Sequence, residues 1–181
     1  MPKNIEVEVR SFVSARKYRD LLKLLKKEAK FLGQEKQLTY YLSGPADLRI
    51  QKSGDSAKVW LKKGKLHQNA REELEIKVPG RDFDKLKALF LALGYKIEIG
   101  WQRTRNNFQY KGFTLAVDFT KGYGYILEVE KMTAPKKKTE TLKKIYQIFE
   151  KLGVSRSLKE EFEKKFARYK KNWRRYAAIK E

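Results

Sequence analysis

The chain has no cysteine and a single histidine in 181 residues. The missing cysteine excludes disulfides, thiolate metal sites and a cysteine nucleophile. The one histidine, His67, lies in the polar stretch KGKLHQN and reads as a surface loop residue. A histidine-rich metal centre is therefore excluded. Any metal must be held by oxygen, which favours Mg²⁺ or Mn²⁺. No apolar run approaches the roughly 18 residues that a membrane span needs, so no membrane partner is expected. The opening MPKNIEVEVR has no apolar signal core, and the expected location is the cytoplasm. Negative charge is scarce: 22 Asp and Glu face 43 Lys and Arg, a formal net charge of +21. Such a chain attracts polyanions, and charge alone does not separate nucleic acid, polyphosphate and nucleotides.

Apolar side chains are not scarce. Hydrophobic residues make up 41% and aromatics 13%, which excludes a disordered chain. The length suits one domain over residues 1–181. Strand-like runs fall at 4–12, 36–42, 47–52, 57–64, 70–78, 95–110, 113–120 and 125–132. A first helix is expected over 14–33, with Ser14 as its N-cap, Gly33 as its stop, and Tyr18, Leu21, Leu22, Leu25 and Ala29 as its apolar stripe. A second is expected over 82–94, capped by Asp82, with Phe83, Leu86, Leu89, Phe90 and Leu93 packing. Two more are expected near 138–152 and 157–176. The last has an apolar stripe of Phe162, Phe166, Tyr169 and Trp173. Short turns between the strands imply a mainly antiparallel α+β fold.

Successive strand residues face opposite ways. In IEVEVR, Glu6, Glu8 and Arg10 share one face, opposite Ile5, Val7 and Val9. The same split recurs in every strand but the second. The polar faces carry Arg49 with Gln51, then Lys58, Trp60 and Lys62, then Arg71, Glu73, Glu75 and Lys77. They continue with Arg103 and Arg105, with Asp118, and with Glu128 and Glu130. Acids and bases nearly balance on these faces, although the whole chain is strongly basic. Two architectures fit. An open sheet would show its charged face to water. A closed eight-stranded barrel would turn it inward, with the helices outside. A charged lumen is costly unless its charges pair or bind something. Clustered carboxylates would hold a divalent cation, and clustered bases would hold phosphates.

EVEVR at 6–10 resembles the ExExK signature of the CYTH superfamily, the triphosphate tunnel metalloenzymes. The order of later motifs agrees: LRI, KVWLKKG, REELEIK, QRTR, LAVDFTKGYG and ILEVE. The resemblance covers about residues 4–132, with helices over about 138–176 as the outer shell. It implies an eight-stranded antiparallel closed barrel, a tunnel, and metal-dependent chemistry on a triphosphate-containing small molecule. It implies Glu6, Glu8, Asp118, Glu128 and Glu130 as metal ligands, with Glu6, Glu8 and Arg10 nearest the chemistry. Arg49, Lys58, Lys62, Arg71, Lys77, Arg103 and Arg105 would hold substrate, with Glu73 and Glu75 in support. The cofactor would be Mg²⁺ or Mn²⁺. The expected activity is triphosphate hydrolysis. The alternatives are an adenylyl cyclase forming cyclic AMP and pyrophosphate, and a non-catalytic module for polyanions or RNA 5′-triphosphates. Trp60 and Trp101 would stack on a base in the cyclase, though packing is the commoner role of such residues. RNA on the basic surface is a further expected partner, and the chain is expected as a monomer or homodimer. Two positions depart from the pattern. Arg10 replaces a lysine and, being planar and always charged, cannot be a general acid or base near neutral pH. Gln51 stands where a second arginine is common.

Overall fold

Alternating apolar residues give the opening strand its one-sided character, and the fold uses that side as its outer surface. The computed structural model describes residues 5–62, 70–71 and 73–177. Its strands are β1 (Ile5–Val13), β2 (Lys30–Leu42), β3 (Asp47–Ser53), β4 (Ser56–Lys62), β5 (Ala70–Arg71), β6 (Glu73–Pro79), β7 (Ile97–Tyr110), β8 (Phe113–Thr120) and β9 (Gly124–Thr133). Its helices are α1 (Ala15–Glu28), α2 (Phe83–Ala92), α3 (Lys138–Lys151) and α4 (Lys159–Tyr176). None of them is long and apolar enough to cross a membrane. Every strand pairing is antiparallel, and the order is β5-β1-β9-β8-β7-β2-β3-β4-β6. The run expected as one strand over 70–78 serves two partners. Arg71 of β5 stands opposite Glu6 of β1, and Glu73 of β6 stands opposite Lys62 of β4.

Ser14 caps α1 as expected, its hydroxyl accepting from the Lys17 backbone N–H at 3.1 Å. The helix ends well before Gly33. Ala29 is already extended, and Lys30–Leu42 ladder along β7, so residues 30–35 are strand. Gly33 is not a helix stop but follows a register shift in that ladder, with φ 126°. Asp82 lies in a 3₁₀ turn and makes no capping bond to α2. Phe83 is buried and Leu86 and Phe90 pack against the same cluster, whereas Leu89 and Leu93 are exposed. Residues 83, 86 and 90 fall on one helical stripe. Position 89 lies roughly 90° from the centre of that stripe, past the edge of the contact, and Leu93 follows the last residue of α2.

Helices cover the outer faces of the strands. Leu21 and Leu25 of α1, with Ile145 and Phe149 of α3, pack on Val7, Val9, Leu115, Val117, Leu127 and Val129. Each fully buried leucine stabilises by about 1.5–3 kcal/mol relative to exposure. Phe162, Tyr169 and Trp173 of α4 pack with Ile99, Tyr123 and Ile126, and the Tyr169 hydroxyl donates to the Gly100 carbonyl at 3.0 Å. The chain before α4 is tied to β1: Ser11 Oγ donates to the Ser155 carbonyl at 2.5 Å, and Ser157 N donates to Ser11 Oγ at 2.9 Å. Two turns need glycine. Lys111 and Gly112, with φ 50° and 76°, make the two-residue β7–β8 hairpin. Gly122, in the β8–β9 turn, has no room for a Cβ, which would meet the Tyr176 ring of α4 at 2.3 Å.

Candidate active site

With their apolar residues turned out to the helices, the strands turn their charged residues toward one another. A cavity of about 230 Å³ results. Among the described residues it is lined by five carboxylates (Glu6, Glu8, Asp118, Glu128, Glu130) and six cations (Arg10, Arg49, Lys58, Lys62, Arg103, Arg105). The alternation of the sequence places all eleven.

Register decides which charges meet. β1 and β9 set Glu8 opposite Glu130 and Arg10 opposite Glu128. Glu6 lies two residues along the same face. Ligand oxygens of Glu6, Glu8 and Glu130 fall within 4.8 Å of one another. Like charges directly opposed on a ladder repel, and the pKa of Glu130 lies above the usual carboxylate range. Burial, then the charges of Glu128 and Glu6, push its carboxyl up to about 8. Lys62 Nζ reaches Glu6 at 3.5 Å, and an Arg10 Nη reaches Glu8 at 3.7 Å.

On β7 and β8 the register sets Arg105 opposite Asp118, and β2 sets Gln37 opposite Arg103. Asp118 accepts from Arg105 Nε at 3.1 Å and from Arg103 Nη1 at 3.1 Å. The Gln37 amide oxygen accepts twice from Arg103, at 3.0 and 2.7 Å. Arg105 also donates to Glu128. Burial alone would raise Glu128, but Arg105, Arg103 and Arg10 together hold it well below the usual carboxylate range. The expected five-carboxylate set thus divides by surroundings. Three converge on one another, and two are engaged by arginines.

Arg49 is held by a different device. Asp47 accepts two bonds from its guanidinium at 2.6 Å, and the group stacks over Tyr41 at 4.2 Å. Lys58 pairs with Glu75 at 2.6 Å and lies over Trp60 at 4.6 Å. Glu75 and Lys77 line an adjoining depression that shares Gln37, Gln51, Lys58 and Arg105 with the cavity. The Lys77 side chain is 75% exposed, 3.6 Å from Glu75. Arg71 and Glu73 lie in the ladder, and their side chains, like His67, fall outside the described residues. Gln51 is buried and donates to Thr39 Oγ1 at 3.1 Å.

Sequence reasoning passed over β2, which contributes Gln37, Thr39 and Tyr41 to the cavity. Their two-residue spacing was a signal, but none carries a charge. It also missed Tyr123, Ile126 and Phe166 in the lining. Phe166 is on α4, and a strand-face argument does not reach a helix. Trp60 and Trp101 both line the cavity, and Trp101 also packs on Tyr123 at 4.6 Å and Tyr169 at 4.4 Å between ring centroids.

Solved structures share this fold. A conserved hypothetical protein from Pyrococcus furiosus is 25% identical, with a TM-score of 0.71 over 83% of this chain and 91% of its own. A Vibrio parahaemolyticus protein described as an adenylate cyclase candidate is 17% identical, with a TM-score of 0.68 over 88% of this chain and 98% of its own. A Hippeastrum adenylyl cyclase candidate, described as having a dominant triphosphatase activity, is 17% identical, with a TM-score of 0.65 over 87% and 93%. No curated protein sequence matches the chain significantly. The CYTH domain model matches residues 4–162, and the chain belongs to the CYTH domain family.

Proposed function

We propose that the protein is a divalent-metal-dependent triphosphate hydrolase, acting on inorganic tripolyphosphate or an organic triphosphate held in a closed, charged tunnel. One observation carries this reading. Three carboxylates converge within 4.8 Å on one wall of a cavity whose other walls present arginines and lysines. A metal–triphosphate complex has that combination of charges. The pairing of Ala70–Arg71 with β1 and of Glu73–Pro79 with β4 supports taking the sheet as closed. The reading treats the chain as one domain with α3 and α4 in its outer shell.

The donor set fits a hard cation. Glu6, Glu8 and Glu130 offer oxygen ligands only. Bound at these carboxylates, Mg²⁺ or Mn²⁺ would offset charge on the phosphate oxygens and lower the pKa of a coordinated water. The remaining work belongs to side chains of the chain. Arg49, Arg103 and Arg105 are locked by Asp47, Gln37 and Asp118, so little ordering is left when they meet phosphate oxygens. Lys58, Lys62 and Arg10 supply further positive charge along the same cavity. Arg10 binds and does not exchange protons. Asp118 and Glu128 position the arginines. Glu75 and Lys77 line the adjoining depression, where substrate would enter or leave.

A product assay tests the reading. Tripolyphosphate, ATP, thiamine triphosphate and a 5′-triphosphate RNA are offered with Mg²⁺ and, separately, Mn²⁺. Orthophosphate release is expected, and the substrate ranking names the organic part. Pyrophosphate with cyclic AMP would replace hydrolysis by cyclisation, with Trp60 and Trp101 as the stacking groups. No product from any of them would leave a polyanion-binding module.

A further inference from the structure

The cavity leaves the chain's charge unexplained. Its five carboxylates and six cations nearly cancel, while the whole chain carries a formal +21. The surplus lies outside, and α4 concentrates it, with eight Lys and Arg against three Glu. No acid occurs between Glu163 and Glu181.

The cations of α4 sort by face. Lys159, Lys165 and Lys170 pair with Glu163, Glu161 and Glu98, at 3.2, 3.0 and 2.5 Å. Lys164, Arg168, Lys171 and Arg175 are exposed and make no ion pair among the described residues. Their spacings of four, three and four put them within roughly 60° of arc, on a row about 16 Å long. The row lies diametrically opposite the buried Phe162, Tyr169 and Trp173. α1 carries a comparable row of Arg16, Arg19, Lys23 and Lys27, but the exposed Asp20 lies beside its middle, whereas the acid nearest the α4 row, Glu160, lies one turn before its first cation.

We propose that the outer face of α4 is a binding site for the phosphate backbone of single-stranded nucleic acid, contacted through Lys164, Arg168, Lys171 and Arg175 without reading sequence. A ligand for this row must present several negative charges in file. A flexible strand can follow a straight, convex helix along all four cations, whereas a stiff duplex curves away from it. A membrane would need apolar side chains on the same face to insert, and that face has none larger than Ala167. An acidic protein partner would need a packed anchor, which a convex row of long polar side chains does not supply.

The test uses the full chain with a chelator present and a fluorescent 20-nucleotide oligouridine ending in a 5′-hydroxyl. Neither metal nor triphosphate takes part, so the result is independent of catalysis. Anisotropy is followed as a function of salt. Affinity should fall linearly on a log–log plot, by about 0.7 per phosphate contact. Replacing Lys164, Arg168, Lys171 and Arg175 together by Gln should flatten the slope by about 3 and weaken binding at least tenfold at low salt. The matched variant with Arg16, Arg19, Lys23 and Lys27 replaced by Gln should change the slope by less than about 1. All eight residues are exposed, and circular dichroism verifies that both variants fold. Equal losses in the two variants would reduce the effect to net charge and overturn the proposal. So would an unchanged slope in the α4 variant. Wild-type binding to phosphatidylserine vesicles or polyglutamate as tight as to the RNA would overturn it as well.

Discussion

Asp118 and Glu128, on β8 and β9, meet guanidiniums, with the Asp118 contacts at 3.1, 3.1 and 3.2 Å. A few ångströms along the same cavity, Glu6, Glu8 and Glu130 crowd together, with Lys62 and Arg10 at 3.5 and 3.7 Å. Carboxylates of one chemical type thus stand in opposite electrostatic surroundings. Glu128 is held well below its ordinary pKa and Glu130 is raised to about 8. The crowded wall brings three carboxylates within 4.8 Å of one another, an oxygen donor set that would suit a divalent cation. The difference separates carboxylates fixed by arginines from carboxylates that face one another, and it can be broken from either side.

The largest effect is expected on the crowded wall. Glu8→Gln and Glu6→Gln keep the shape and remove one charge from the three-carboxylate cluster. Turnover should fall more than about 100-fold, and Mn²⁺ binding, read by titration calorimetry on the unreacted protein, should weaken in parallel. Unchanged Mn²⁺ affinity in both variants would show that the cluster is not the metal site.

Stability should respond on the other wall. Glu128→Ala leaves Arg105 without one of its buried partners, and breaking such a pair costs about 3–5 kcal/mol. That corresponds to a fall in Tm of roughly 6–20 °C for a chain of this size, read by thermal unfolding in chelator. The pH dependence has a definite sign. A depressed folded pKa adds stability above the unfolded value near 4.5, and that stability is lost as pH falls below it. The deficit of Glu128→Ala should therefore shrink toward pH 3. A deficit independent of pH would assign it to packing alone.

Glu130 should behave in the reverse sense. A raised folded pKa means that the folded chain keeps a proton which the unfolded chain has lost. Stability therefore declines as pH climbs from about 4.5 through about 8. Glu130→Gln removes that decline. In chelator at pH 9 the variant should melt several degrees above wild type, and at pH 4 the two should coincide. A variant less stable than wild type at pH 9 would mean that the crowded wall is already balanced.

Much of this division could be read from residue order, for a physical reason. A two-residue period is rigid, so one glutamate on a strand fixes the side of its neighbours. That placed Glu6, Glu8, Arg103, Arg105, Asp118, Glu128 and Glu130 on one surface. Register was not legible, because it depends on which strand lies beside which. The pairings of Glu8 with Glu130, of Arg10 with Glu128 and of Arg105 with Asp118 separate the crowded carboxylates from the neutralised ones. Gln37, which fixes Arg103, was hidden because it is uncharged, and Phe166 because it arrives on a helix. The end of α1 was misplaced because KEAKFLG continues a helical pattern locally. Pairing of Lys30–Leu42 with β7 overrides that preference.

The smallest expected effect concerns a position where both walls leave a neutral gap. Gln51 lies in the row Thr39–Gln51–Lys58, across β2, β3 and β4. It donates to Thr39 and carries no charge. Gln51→Arg would put a second cation beside Lys58 in the cavity. Without ligand, the like charges should lower Tm by a few degrees at low salt. With tripolyphosphate, the same charge meets phosphate in the ground state and in the transition state alike. KM should then fall about three- to tenfold while kcat barely moves, the pattern of uniform binding. Salt should erode the gain, because the cavity is open enough for ions to screen it. A change in kcat with KM unmoved would place Gln51 beside the reacting phosphorus instead, and would shift the chemistry away from the Glu6–Glu8–Glu130 wall toward β3 and β4.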